Sequence, residues 1–152
     1  MNHWMQIACD EALLGMMKNE GGPFGAVIMR DDIIIASAHN EVLKSNDPTA
    51  HAEINAIRKA SHTLGKFDLS DCVLYTTCYP CPMCMGAIFW ARIPIVYYVS
   101  SMDDAAEGGF DDRIFYTMIR NPESSLDLRP IDPEKGKKLF GQWLDKANRT
   151  LY

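Results

Sequence analysis

Apolar residues recur along this chain at two periods, and their succession predicts a sheet flanked by helices. Met5, Ala8, Cys9, Ala12, Leu13 and Met16 follow the i, i+3, i+4, i+7 spacing of an amphipathic helix. Gly21-Gly22-Pro23 ends it. Two strand-like runs come next, residues 25–30 and 33–39, with Asp31-Asp32 between them as a hairpin turn. Residues 45–49 read as a loop with ample capping chemistry. A helix over about 50–64 puts Ile54, Ile57, Ser61 and Leu64 on one side and Ala52, Ala56 and Ala60 on another, small enough to pack closely on a sheet. Residues 72–76 form a third strand. Pro82 opens a helix running to about 92, and residues 95–99, β-branched and aromatic, form a fourth strand.

Beyond this point the pattern loosens. Residues 103–112 are acidic and contain glycine, 111–120 read as a short helix, and 126–131 as a fifth, edge strand. Asp132-Pro133-Glu134 caps a last helix whose apolar stripe is Phe140, Trp143, Leu144, Ala147 and Leu151. Hairpin, then α-β-α-β, then α is the order of an α/β domain, a mixed sheet covered by helices.

The chain has 152 residues and is 47% hydrophobic, enough for one domain over 1–152 and too short for two ordinary ones. No run of 18 apolar residues predicts a membrane span. Met1-Asn2-His3-Trp4 does not begin a signal peptide, so a cytoplasmic location is expected. Five cysteines, an odd and clustered set, argue against a secreted disulfide framework and for metal or catalysis. A net charge of −5 disfavours a nucleic-acid partner, which needs a basic stripe. The basic residues Lys135, Lys137, Lys138, Lys146 and Arg149 read as a solvated helix face. A small-molecule substrate is expected instead.

Two motifs carry the chemistry: His51-Ala52-Glu53 and Pro80-Cys81-Pro82-Met83-Cys84, each at a helix start. One histidine and two cysteines give three zinc ligands and leave a fourth position open, the arrangement of catalytic rather than structural zinc. Cys81 and Cys84 share one face of a turn, and a helix N-terminus favours their thiolates. His51 and Glu53 are only two apart, yet side chains in a first turn lean toward the N-terminus and can converge beyond the helix end. Glu53 is then free to move protons beside a water that zinc has acidified. A lone Cys-x-x-Cys also suits redox chemistry or half of a zinc ribbon. Cys78 extends it toward an iron–sulfur pattern, but the fourth cysteine such a cluster needs would have to be the isolated Cys9 or Cys72. Cys78 reads as buried filler at a strand end.

On these residues the sequence resembles the cytidine deaminase superfamily, in which His-Ala-Glu is followed about thirty positions on by Pro-Cys-x-x-Cys. The likeness runs from Gly22-Pro23-Phe24-Gly25-Ala26 through Pro48-Thr49-Ala50-His51-Ala52-Glu53 to Cys84, Gly86 and Ala87. It implies a three-layer α/β/α sandwich with a five-stranded mixed sheet, one Zn2+ per subunit held by His51, Cys81 and Cys84, and a homodimer. Tyr79 stands where many members have glutamate. Asp104-Ala105-Ala106-Glu107, Gly109-Phe110-Asp111-Asp112 and the terminal Tyr152 are similar to bacterial guanine deaminases. That likeness implies guanine as substrate, hydrolysed to xanthine and ammonia, with Glu53 and Asp112 moving protons. Asn40 would bond the purine, Phe24, Trp90 and Phe110 would wall it, and Tyr152 would close the pocket. The segment from about 132 to 152 would then pack on, or swap with, a neighbouring subunit.

Each role has a plainer alternative: core packing for Phe24 and Trp90, turn or helix capping for Asn40 and Asp112, and a frayed end for Tyr152. Guanosine deamination, tRNA adenosine deamination and a zinc-stabilised interaction domain remain as alternatives to the leading reading.

Overall fold

The computed structural model describes residues 2–152 and contains two compact units, one up to Tyr116 and one over Thr117–Tyr152. In the first, α1 (His3–Met17) is followed by the hairpin β1 (Gly25–Arg30) and β2 (Ile33–His39). Asp31 and Asp32 both take positive φ (50° and 59°), the left-handed pair that a tight two-residue hairpin requires. Then come α2 (Val42–Ser45), α3 (Ala52–Leu64), β3 (Val73–Cys78), α4 (Pro82–Trp90), β4 (Ile95–Ser100), α5 (Met102–Glu107) and α6 (Arg113–Arg120), which runs on into the second unit.

The sheet is mixed, in the order β2-β1-β3-β4, antiparallel except for the β3–β4 pair. Alternation along β1 divides the core: Ala26 and Ile28 face Ala52, Ala56, Leu74 and Ile88, while Val27 and Met29 face Met5, Ala8 and Tyr75. Helices α3 and α4 therefore cover one face and α1 the other, which makes the three layers. The stripe of α1 is narrower than its apolar spacing predicts: Met5, Ala8, Ala12 and Gly15 are buried, and Leu13 and Met16 are exposed.

Among the described residues the sheet has four strands, not the five expected. Residues 126–131 form no strand; Pro130 offers no N–H for a ladder, and Ile131 is 96% exposed. The acidic stretch instead forms α5, fixed by a capping box between Ser101 and Asp104.

In the second unit, α7 (Pro133–Asp145) starts at Asp132, whose side chain accepts from the Lys135 N–H at 3.0 Å. It stops before the apolar spacing does, so Ala147 and Leu151 lie outside it. The Arg149 guanidinium donates to the Leu144 carbonyl (2.5 Å), satisfying a group the helix end leaves open.

Candidate active site

Two helix starts converge on one point. His51 is the N-cap of α3, extended at φ −72° and ψ 157°, and Cys81 holds the same place on α4 at φ −65° and ψ 167°. Pro82, at the first helical position of α4, presets that turn and has no N–H to leave unpaired. Cys84 follows two residues later, with its side chain fully buried.

The Sγ atoms of Cys81 and Cys84 each lie 3.6 Å from Nδ1 of His51. All three donor atoms fall within 4.8 Å of one another. Tetrahedral zinc, with bonds of about 2.3 Å to sulfur and about 2.1 Å to nitrogen, sets a sulfur–nitrogen edge of about 3.6 Å. The donor set therefore fits zinc in both chemistry and spacing.

The electrostatics suit a cation. The thiol of Cys81 is held down to about 4, by the bond from Cys84 first and by His51 next. Cys84 is pushed the other way, up, by its bond to Cys81 and by burial. His51 is raised by its bond with Cys81, against the opposing effect of burial.

Glu53, the second residue of α3, is 6% exposed. Its Oε1 accepts from the Thr76 hydroxyl at 3.0 Å, and its Oε2 from the Cys84 thiol at 3.4 Å. Burial drives its carboxyl above the usual range, with Thr76 opposing. Thr76 is a site residue that the sequence reading missed; its signal was a pair of threonines, Thr76 and Thr77, in a largely buried strand.

A cavity of about 530 Å3 opens on these groups, lined by His51, Glu53 and Cys81 together with Phe24, Asn40, Phe110 and Asp112. The Phe24 and Phe110 rings meet edge to face at 5.0 Å. A side chain at Gly22 would strike both rings (2.9 Å), and one at Gly21 would strike Asn40, so the two glycines let these walls close up. Asn40 accepts the Val42 N–H at 3.1 Å through Oδ1, which leaves its amide N–H2 for a ligand. Asp112 keeps a buried Oδ1 with no hydrogen-bond partner. Burial and the nearby Cys81 charge raise its carboxyl.

Cys78 is buried at the end of β3 and also lines the cavity; burial pushes its thiol up to about 11. Tyr79 lines it too and meets Tyr98 edge to face at 5.2 Å. Trp90, the last residue of α4, is 67% exposed and lies outside this lining. Tyr152, in the second unit, is 69% exposed.

A mixed sheet carrying His-x-Glu and Cys-x-x-Cys on two convergent helix starts defines a zinc-dependent hydrolytic deaminase. The chain belongs to the cytidine and deoxycytidylate deaminase family, whose zinc-binding region matches residues 1–100. It is 47% identical to the guanine deaminase of Bacillus subtilis, over the whole of both chains. The X-ray structure of a Bacillus subtilis guanine deaminase superposes with a TM-score of 0.95, over 100% of this chain and 99% of that one. A tRNA-specific adenosine deaminase of Buchnera aphidicola is 36% identical over 79% of each chain.

Proposed function

We propose that this protein is a cytoplasmic guanine deaminase, converting guanine and water to xanthine and ammonia. One observation carries the reading: Glu53 is buried beside the donor triad, in a cavity that also holds the unpartnered Asp112 oxygen, the Asn40 amide and the Phe24–Phe110 pair. The full-length relative from Bacillus subtilis, named for guanine, supports the choice of base.

His51, Cys81 and Cys84 would hold the zinc. When bound, zinc lowers the pKa of a coordinated water to about 7 and so supplies the nucleophile at neutral pH. Phe24 and Phe110 flank the flat base and exclude bulk water. Asn40 donates to a ring acceptor and fixes the base in plane. Glu53 takes a proton from the attacking water and delivers it to the ring nitrogen beside the aminated carbon; its raised pKa suits both directions of transfer. Asp112 carries the next proton to the exocyclic nitrogen. The carbon–nitrogen bond then breaks, ammonia departs and the new carbonyl is that of xanthine.

The homodimer belongs to the same proposal. Phe140, Leu144 and Leu151 are exposed on the second unit, apolar area suited to a neighbouring subunit. The cytoplasmic reading is supported by five free cysteines. No helix among the described residues is long and apolar enough to cross a membrane.

The test is an assay of zinc-loaded protein against guanine, guanosine, cytosine and a tRNA anticodon stem, following ammonia and xanthine. Turnover of guanine alone is expected. Inosine in the tRNA without xanthine from guanine would reverse the assignment.

A further inference from the structure

His39 ends β2 one residue before Asn40 and is 9% exposed. Each of its ring nitrogens faces a carboxylate from a different segment: Nδ1 lies 2.9 Å from Oε2 of Glu11 on α1, and Nε2 lies 2.7 Å from Oε2 of Glu20. The ring lies against Gly15, where a Cβ would come within 2.5 Å of it, so α1 has no room to shift over it.

Glu20 is the junction. Its carbonyl accepts the N–H groups of Leu43 and Lys44 at 3.0 Å each. Its carboxylate also takes the Lys44 ammonium at 3.1 Å, which Glu41 shares at 2.7 Å. Bonds from His39 first and Lys44 next hold the Glu20 carboxyl below the usual range. Gly21 and Gly22 follow directly and pack on Asn40, Phe24 and Phe110. The Asn40 N–H donates to the Phe24 carbonyl at 3.0 Å.

We infer that His39, through Glu20, is a positioning residue for the base-binding wall of the cavity. It ties the segment bearing Phe24 to the segment bearing Asn40, while its bond to Glu11 only anchors it to α1. The inference rests on the guanine reading in one respect, that Phe24 and Asn40 touch the base. The cluster needs no further ion, since the Lys44 ammonium already lies between Glu20 and Glu41.

The experiment compares zinc-loaded wild type with Glu20→Gln, His39→Gln and Glu11→Gln, measuring steady-state kinetics on guanine, zinc content, Tm and backbone amide exchange. Glu20→Gln and His39→Gln are expected to raise KM about tenfold with kcat held within about threefold, the signature of lost ground-state and transition-state binding alike. Their zinc content should stay at wild-type level, and the amides of Asn40, Leu43 and Lys44 should exchange faster. Glu11→Gln should lower Tm, with KM within about twofold of wild type and those three amides unmoved. A uniform fall in Tm across all three variants, with KM and exchange at the wild-type level, would overturn the inference. If His39→Gln does not fold, Glu20→Gln decides. If wild type does not turn over guanine, the guanine reading fails, and the exchange arm still decides whether His39 and Glu20 order this wall.

Discussion

Cys84 and Glu53 belong to different helices and meet side by side, thiol sulfur 3.4 Å from carboxylate oxygen. A zinc ligand and the proposed proton carrier are thus neighbours, while Thr76 on β3 steadies the other oxygen of the carboxylate. The sheet and both helix starts fix the same few atoms, and that makes their roles separable by mutation.

Replacing Glu53 with Gln keeps the shape and an acceptor for Thr76 but removes the proton carrier. Zinc content and Tm should stay close to wild type while kcat falls about a thousandfold. Elemental analysis alongside steady-state kinetics checks this; loss of zinc together with activity would make Glu53 structural.

Asp112 has a buried oxygen with nothing to bond. Removing that charge in Asp112→Asn should cost folding little, and should lower kcat about a hundredfold with KM nearly unchanged. Stopped-time xanthine assays at saturating guanine measure it.

Zinc removal by a chelator should abolish turnover and lower Tm. At a free ion concentration of a hundred times Kd, zinc contributes about 2.7 kcal/mol. For a chain of this size that corresponds to about 5–10 °C in Tm. Readding zinc should restore both, and thermal melts with and without metal report it.

Tyr116 donates to the Pro80 carbonyl at 2.6 Å, steadying the turn that presents Cys81. Burial of the phenol, with Tyr79 next, raises its pKa to about 12, so it stays a donor at any physiological pH. Tyr116→Phe should cost about 1 kcal/mol of stability, read as a lower urea midpoint with an unchanged slope.

Glu11 links folding to acid. Burial would raise its carboxyl, but the hydrogen bonds from His39 and Ser37 outweigh that and hold it below its ordinary value of 4.5. A carboxylate lowered in the folded state contributes stability that is present above the unfolded pKa and lost as pH falls through the folded one. Wild-type Tm should therefore drop below about pH 4.5, and Glu11→Gln should flatten that part of the curve.

The elements with strong periodicity were legible: the hairpin, α3, β3, α4 and β4 follow directly from apolar spacing and from Pro82. The start of α3 moved from about residue 50 to Ala52 because His51 acts as its cap, whereas α4 begins at Pro82 as expected and ends at Trp90, short of 92. Short α5 has no apolar period, and its only signal was the Ser101-x-x-Asp104 box. The fifth strand failed because its apolar alternation runs into Pro130. The zinc triad and Glu53 were legible because each motif is local. His39, Glu11 and Glu20 were not, since partners 28 and 19 positions apart leave no spacing to read.

Neither helix start that presents the donors has a side-chain cap bond. Ser, Thr, Asp or Asn in those places would typically add about 1 kcal/mol each. Evolution toward greater thermostability is thus closed at these two positions, where any better cap would remove a ligand. Heat tolerance in this protein must be sought elsewhere, in the hairpin turn or the exposed faces, and the site marks where stability and turnover compete for the same residue.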